Sequence, residues 1–330
     1  MLSILSKIYG WIMNVRNHLY DRGVFGTYDL GARTISVGNI TTGGTGKTPL
    51  VAYIATILAE SGETVCILTR GYGRRDPKKR VLVCNGEEIL ASQQDAGDEP
   101  FELATKLLGK AFIVADADRV SAGEWAKREF GVTRFVLDDG FQHRRAKRDV
   151  DIVCIDATNP FGGDQMLPAG RLREPVENLS RATAIVITRA DLVDDVSALR
   201  SKLAELAPEA KIFSATSKTR VVDPETGAAA DATGRKIFAF CGLGNPDGFF
   251  RLVKRNGLEL IGSKTFRDHH VYTRSDIAEI EKKAANAGAN ILLTTAKDAV
   301  KLTEFSFEMP CCVLEIEVEL DDPEAFAGML

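Results

Sequence analysis

The sequence has few histidines and tryptophans, no C-x-x-C cysteine pair and no long uncharged run. Among its 330 residues are only 4 histidines and 2 tryptophans. None of the 6 cysteines has the close spacing of a zinc site, which favours a reducing compartment. The net charge of −4 gives no general attraction to nucleic acid, so no nucleic-acid partner is expected. With 45% hydrophobic and 27% charged residues the composition is globular, and the length favours two domains.

The N-terminal segment is apolar but too often interrupted by charge to span a membrane. Its uncharged run between Lys7 and Arg16 is far shorter than the ~20 residues that a transmembrane helix needs. No small-residue cleavage site follows it, so a cleavable signal is not predicted. Apolar residues recur at steps of four and three, which predicts an amphipathic helix within residues 1–24. They are Met1, Leu5, Ile8, Ile12, Val15 and Leu19, widened by Ile4 and Trp11. This stripe lies either on a membrane surface or against protein.

A glycine-rich loop follows the first candidate strand. The sequence ITTGGTGKTP, residues 40–49, lies between an apolar run and a helix-like run. Its N–H groups and the helix N-terminus form an anion-binding concavity, in which Lys47 reaches the β- and γ-phosphates and the Thr48 hydroxyl ligates Mg²⁺. Thr41 replaces the first glycine of the Walker A consensus. The predicted nucleotide-binding residues are Thr41, Thr42, Gly43, Gly44, Thr45, Gly46, Lys47 and Thr48.

Strand-like and helix-like runs alternate from residue 34 onward. This order predicts an α/β fold, a P-loop NTPase-like and mainly parallel sheet with helices on both faces. A polar segment at 218–235 breaks the pattern, and a smaller α/β pattern follows it. The sequence therefore predicts four parts: the N-terminal amphipathic helix (1–24), a P-loop core domain (25–217), a hinge (218–235) and a smaller C-terminal domain (236–330).

Two acidic motifs fall where such a sheet binds its ligands, at the carboxyl ends of strands. The segment FVLDDGFQHRR begins with a short apolar run that is followed directly by Asp138 and Asp139. This is the position of a Walker B acid that serves Mg²⁺. In GDEP, Asp98 and Glu99 precede a helix with Pro100 at its predicted first position. Helix capping alone would account for that acidic pair.

The segment DHHVYT holds two of the four histidines, His269 and His270, and a third, His143, follows the acidic pair at 138–139. An aspartate beside a histidine can orient a general base for a hydroxyl nucleophile. A histidine pair in a loop is also often structural.

A different class of function has one motif in its favour. IVITRAD, residues 185–191, resembles the guanine-reading T-[KR]-x-D of G proteins, with Arg189 at the lysine position. A P-loop GTPase or metallochaperone-like switch protein is therefore an alternative to a P-loop enzyme that transfers phosphate to a hydroxyl. A nucleotide-binding module without catalysis is a third hypothesis.

A series of motifs spread from residue 36 to 302 resembles the tetraacyldisaccharide 4'-kinase family of lipid A synthesis. In order, they are SVGNITTGGTGKTP, TRGYGRR, GDEP, LDDGFQHR, LPAGRLREP, CGLGNPDGFF, FRDHHVYT and TTAKDAVKL. The resemblance implies a kinase that transfers the γ-phosphate of ATP, with Mg²⁺, to the 4'-hydroxyl of a tetraacylated glucosamine disaccharide 1-phosphate. It implies peripheral attachment of the N-terminal helix to the cytoplasmic face of a bacterial inner membrane, where the lipid A disaccharide precursor lies.

The same resemblance implies roles for particular residues. Asp98 would act with His269 or His270 in activating the hydroxyl, and we favour His269. Asp138 and Asp139 would serve Mg²⁺ with Thr48, as Lys47 serves the phosphates. The motif residues expected near substrate are Arg119, His143, Arg171 and Glu174.

Overall fold

The structure, a computed structural model, describes residues 2–224, 226–268 and 270–330. The chain forms two compact units, Met1–Ser217 with Val318–Leu330, and Lys218–Glu317. These limits differ from the predicted domains in two respects. The C-terminal residues belong to the first unit because Leu320, Phe326 and Leu330 are buried in its core. The segment 218–235 falls within the second unit, and its first residues continue a strand that begins at Lys211 and ends at Val222.

The sheet of the first unit is mainly parallel. Its strands are β1 (Arg33–Gly38), β2 (Val65–Thr69), β3 (Val81–Asn85), β4 (Ala111–Ala115), β5 (Arg134–Asp138), β6 (Val150–Asp156), β7 (Ala184–Thr188) and β8 (Lys211–Val222). They lie in the order β8-β7-β6-β1-β5-β2-β4-β3. Each neighbouring pair is parallel except β3 with β4. The P-loop strand β1 thus lies between β5 and β6, which places the ends of three strands beside the loop.

Helices cover both faces of this sheet. The helices of the unit are α1 (Leu2–Asp21), α2 (Lys47–Glu60), α3 (Gln93–Ala96), α4 (Asp98–Lys106), α5 (Arg119–Phe130), α6 (Ser197–Leu206) and α10 (Pro323–Ala327). Side chains alternate across a strand, so Val65 and Ile67 of β2 join the core formed with α2 and α4. Cys66 and Leu68 join the opposite core, which includes Val120 of α5. This two-sided burial explains why the strands read as continuous apolar runs.

The strands of the second unit are also parallel to their neighbours. The elements are β9 (Lys236–Cys241), α7 (Pro246–Arg255), β10 (Glu259–Thr265), α8 (Arg274–Asn286), β11 (Ile291–Thr295), α9 (Ala296–Ala299) and β12 (Cys311–Leu320), of which the end from Val318 onward belongs to the first unit. The strand order is β10-β9-β11-β12. Phe240, Ile280 and Leu292 lie in the core of the second unit.

Helix α1 turns its small and polar residues inward and its apolar stripe outward. Its buried residues are Ser6, Gly10, Met13 and Asn17. The large apolar residues of the opposite face, between 37% and 67% exposed, are Leu2, Ile4, Leu5, Ile8, Trp11, Ile12 and Val15. Met1, the first member of the predicted stripe, lies outside the described residues. In the described part of the chain, none of the helices combines the length and the apolar character needed to span a membrane.

Candidate active site

The P-loop connects β1 to α2. Helix α2 begins at Lys47, so that Lys47 and Thr48 lie in its first turn. Pro49 is tolerated there because the first N–H groups of a helix have no intrahelical partner. Two bonds fix the loop at Thr45: the Asn39 amide donates to the Thr45 hydroxyl at 2.8 Å, and the Thr188 hydroxyl donates to the Thr45 carbonyl at 2.9 Å. The backbone of the loop is therefore held in place by its neighbours.

A second loop, residues 165–174, lies against the P-loop. The Thr42 N–H donates to the Arg171 carbonyl at 2.8 Å, and Arg171 Nε donates back to the Thr42 carbonyl at 3.0 Å. The guanidinium of Arg171 lies so close to Gly43 that a Cβ there would come within 2.0 Å of Nη2. Gly43 also has a φ of 112°, which side chains rarely adopt. The glycine thus lets an arginine lie directly on the phosphate-binding loop.

The two aspartates at the end of β5 have different environments. Asp138 is 3% exposed and accepts a hydrogen bond from the Thr69 hydroxyl at 3.0 Å. Burial, with the nearby carboxylates of Glu99 and Asp139, raises the pKa of Asp138 to about 7. Its carboxyl therefore lies in a site where a cation would stabilise the charged form.

Asp139 is already paired with two cations. Lys47 Nζ lies 3.4 Å from its Oδ1, and Arg173 Nη1 donates to both of its oxygens at 2.9 and 2.7 Å. Burial opposes the charged form, but Lys47 and Arg173 outweigh burial and hold the pKa of Asp139 below its ordinary value. The predicted Walker B pair thus divides into one buried acid and one ion-paired acid.

Arg119 and His143 lie beside this acidic pair. Arg119 is 5% exposed, and its Nη2 donates to the Asp138 carbonyl at 3.2 Å. Burial, then Arg119 and Arg148, lower the pKa of His143 to about 3, so the imidazole is neutral at physiological pH. Among the described residues, His143 Nε2 has no hydrogen-bond partner.

Asp98 lies inside its helix and does not cap it. Helix α4 begins at Asp98, with Gly97 at the N-cap position and Pro100 at the third helical position, not the first. Gly97 has a φ of 93°, and a Cβ there would come within 2.8 Å of the Tyr72 carbonyl oxygen. The GDEP and TRGYGRR motifs therefore pack backbone against backbone. The Gln93 side-chain amide donates to Asp98 Oδ1 at 2.8 Å.

Glu174 is fully buried at 0% exposure and receives several side-chain donors. They are Asn17 Nδ2 at 2.7 Å, Gln142 Nε2 at 3.0 Å, Asn178 Nδ2 at 3.2 Å and Arg181 Nη1 at 3.0 Å. A buried carboxylate needs such partners, and these donors fix it in one orientation. Glu174 is therefore held by neighbouring side chains. It does not lie at an open surface that a sugar hydroxyl could reach.

Three motifs converge in the second unit. Asp298 of TTAKD accepts from the Gly242 N–H at 2.9 Å, and a Cβ on Gly242 would lie 3.1 Å from the Arg267 carbonyl of FRDHH. Lys297 donates to Asp268 at 2.9 Å. CGLGNP and TTAKD thus support the loop that carries the histidines.

His270 of that loop is held by its neighbours. His270 Nε2 lies 3.2 Å from an Asp276 oxygen, and its ring stacks on Phe266 with centroids 4.5 Å apart. Asp276 also closes a capping box with Thr273 at the start of α8. His270 is therefore part of a helix cap. His269 lies outside the described residues.

The residues of the guanine-reading pattern are engaged elsewhere. Arg189 pairs with Asp156 at the end of β6. Asp191, which would have to read a base edge, accepts from the Ser217 N–H at 3.2 Å. The local geometry therefore does not favour the GTPase alternative.

Sequence patterns miss several residues of the first unit that lie around the predicted acids. Asp139 is contacted by Arg173, and Glu174 is contacted by Gln142 and Asn17. Each of these pairs is far apart in sequence. Arg173 and Gln142 stand within the motifs LPAGRLREP and LDDGFQHR, which gives a signal for these two, whereas Asn17 has none.

Comparisons with known proteins agree with one another. The family model described as tetraacyldisaccharide-1-P 4'-kinase matches residues 1–330. The chain is 41% identical to a tetraacyldisaccharide 4'-kinase of Chlorobaculum parvum over 98% of this chain and 91% of that protein. It is 38% identical to that of Halothermothrix orenii, over 92% and 83%. The crystal structure of LpxK from Aquifex aeolicus in complex with ATP has a TM-score of 0.80 at 31% identity, covering 98% of this chain and 96% of that one.

Proposed function

The chain belongs to the tetraacyldisaccharide-1-P 4'-kinase family, and from that premise we propose how its residues divide the work. The enzyme is a kinase that transfers the γ-phosphate of ATP to the 4'-hydroxyl of the tetraacylated disaccharide in lipid A biosynthesis. The observation that carries the proposal is the cluster at the end of β5, where Lys47 of the P-loop meets Asp139 beside the buried Asp138.

The residues that would bind the nucleotide lie in the first unit. The loop N–H groups and the α2 N-terminus bind the phosphates, and Lys47 neutralises charge on the β- and γ-phosphates. Thr48 and Asp138 would hold Mg²⁺, which would supply further charge neutralisation. The raised pKa of Asp138 fits this assignment, because a cation would stabilise its carboxylate.

The acceptor end needs a base for the 4'-hydroxyl. Phosphoryl transfer passes through a loose transition state, so alignment and late proton removal are the main demands on the protein. We assign Asp98 and His269 to this task, as the family resemblance implies. The bonding of His270 to Asp276 supports the choice of His269, because it gives His270 a structural role. Arg119, His143 and Arg171 surround the phosphate region, and we assign them to the positioning of substrate phosphates.

The acceptor is a lipid, and α1 would bring the enzyme to it. The exposed apolar face of α1 fits the interface of a lipid bilayer, with Lys7 and Arg22 as exposed basic residues near it. We propose peripheral attachment at the cytoplasmic face of the inner membrane.

One assay tests the proposal as a whole. Full-length enzyme is mixed with γ-labelled ATP, Mg²⁺ and the tetraacylated disaccharide 1-phosphate in mixed micelles. We expect the label in the lipid fraction, faster with ATP than with GTP, and slow release of phosphate when lipid is absent. Label that appears only as free phosphate, and equally from GTP, would favour a switch protein.

The buried acid should control the Mg²⁺ requirement. We expect Asp138→Ala to raise the Mg²⁺ concentration for half-maximal rate by ~10-fold or more, because a hard cation loses its anionic ligand. The measurement is a Mg²⁺ titration at fixed ATP. Asp151→Ala, which removes a buried acid of β6 paired with Arg148, is the control and should leave the titration unchanged. If both Asp138→Ala and Asp139→Ala keep the wild-type Mg²⁺ dependence, the Walker B assignment is wrong.

The outer face of α1 should control membrane binding. The double variant Ile8→Ser/Ile12→Ser should lower sedimentation with anionic vesicles by ~10-fold or more, because it removes two apolar side chains from the interface. The matched control is Leu90→Ser/Leu108→Ser, since these leucines are similarly exposed, at 51% and 47% against 49% for each isoleucine. Equal vesicle binding by both double variants would exclude the α1 face as the membrane contact.

A further inference from the structure

The buried face of α1 is bonded to the loops that surround the P-loop. Asn17, 3% exposed, donates from Nδ2 to Glu174 Oε2 at 2.7 Å. Arg16 Nη2 donates to the Gln142 carbonyl at 2.7 Å, and Arg144 Nη1 donates to the Asn17 carbonyl at 2.9 Å. A helix that only attached the protein to a membrane would not need a buried amide on a buried carboxylate.

The bonding continues from Glu174 to the ion-paired acid of the site. Gln142 Nε2 donates to Glu174 Oε1 at 3.0 Å and to the Asn39 carbonyl at 2.9 Å. The other end of the same amide, Gln142 Oε1, accepts from Arg173 Nη1 at 3.4 Å. Arg173 holds Asp139, which pairs with Lys47. An unbroken series of polar contacts thus joins α1 to the phosphate-binding lysine.

A second set of contacts reaches the P-loop backbone by another path. The Ser6 hydroxyl accepts from the Ala169 N–H at 3.0 Å, and Met166 lies beside Gly10, 3.5 Å from where a Cβ would be. Ala169 and Met166 belong to the 165–174 loop, which bonds to Thr42 through Arg171. The helix therefore packs on the loop that supports the nucleotide site.

We infer that Asn17 is a positioning residue for the nucleotide site, which orients Glu174 and Gln142 so that Arg173 holds Asp139 beside Lys47. The helix α1 is then a structural part of the phosphoryl-transfer site as well as the attachment to a lipid surface. This inference rests on the proposed role of Asp139 and Lys47 in binding Mg·ATP.

The chemistry of the contact requires an amide at position 17. A carboxylate there would face Glu174 at hydrogen-bond distance, and two buried like charges cannot both remain ionised. An alanine would remove this donor, while Gln142, Asn178 and Arg181 would still donate to the Glu174 carboxylate. Asn17→Ala should therefore fold and change the orientation of the network.

The test measures Mg·ATP binding without acceptor, so it does not depend on lipid phosphorylation. Full-length wild type, Asn17→Ala and the control Asn14→Ala, an exposed asparagine of the same helix, are titrated with Mg·ATP in one detergent buffer. We expect Asn17→Ala to raise the Kd by about tenfold, the order of effect for the loss of one hydrogen bond to a charged group. The control should bind as wild type, and sedimentation with anionic vesicles should be equal for all three proteins.

A double mutant distinguishes positioning from general stability. Asn17→Ala and Gln142→Ala should together weaken Mg·ATP binding by less than the product of their separate effects, because both act on one network. A lower Tm with an unchanged Kd would overturn the inference and make Asn17 a structural residue. Multiplicative losses would also overturn it. Failure of the proposed function is a separate result, in which wild-type enzyme binds Mg·ATP and transfers no label to the lipid.

Discussion

Replacing Lys47 with alanine should lower kcat by ~10²-fold or more, the order of loss found when one preorganised donor to a developing charge is removed. Lys47 is the lysine of the P-loop, and its ammonium would meet the β- and γ-phosphates as charge redistributes in the transition state. Among the described lysines, no other one forms an ion pair with Asp138 or Asp139. The remaining N–H donors of the loop would still bind nucleotide, so the loss should appear more in kcat than in ATP affinity.

The fold should tolerate this change. Asp139 keeps its two bonds from Arg173, so the carboxylate is not left as an uncompensated charge. Lys127→Ala is the control, since Lys127 is a half-buried lysine fixed by a bond of 2.7 Å to the Val132 carbonyl, on a helix remote from the loop. It should cost stability and leave kcat unchanged. Wild-type turnover by Lys47→Ala, measured as labelled lipid, would remove Lys47 from the site.

Replacing Asp98 with asparagine should lower kcat by ~10² to 10⁴, the range for a group that takes part in general-base catalysis. The substitution preserves shape, and the asparagine oxygen can still accept from Gln93, so the fold and ATP affinity should remain. Asp95→Asn is the matched control, because Asp95 is a partly exposed acid in the same segment that pairs with Arg75. It should leave kcat unchanged.

The histidine variants complete this test. His269→Ala should lower kcat, and combining it with Asp98→Asn should add little, because residues that act as a unit fail together. His270→Ala should instead lower Tm through the loss of its contacts with Asp276 and Phe266. In the wild type, kcat should fall toward acidic pH as the base takes up a proton, and Asp98→Asn should flatten that limb. Multiplicative losses with an unchanged acidic limb would refute the catalytic pair.

The positions of most strands along the chain could be read from the sequence with small errors at the ends. The apolar runs at 134–138 and 184–188, for example, coincide with β5 and β7, because strands buried on both faces are continuously apolar. Strand β3 is not predicted, since Val81–Asn85 is a short, half-buried antiparallel strand that follows a basic run. The C-terminal residues 318–330 were assigned to the wrong unit because no local pattern shows that Phe326 packs in the core of the first.

The site could be predicted where a motif carries its own chemistry. The P-loop and the acids at 138–139 are local patterns, and their neighbourhood follows from parallel strands that end at one edge. The contacts of Glu174 with Asn17 and Gln142 join residues far apart in sequence, and no spacing rule predicts them. The role of His270 had a local signal in the spacing of Thr273 and Asp276, which is a capping pattern at the start of α8.

The exposed and the buried faces of α1 are under different evolutionary constraints. Residues such as Ile8 and Trp11 remain exposed in the folded protein, so their replacement by polar residues costs almost no folding free energy. Residues such as Asn17 are buried, and their replacement does affect the folded protein. A screen that ranks variants by thermal stability would therefore record the stripe as neutral, although the proposed lipid contact depends on it. Only an assay that contains a bilayer would detect the effect of substitutions in the stripe.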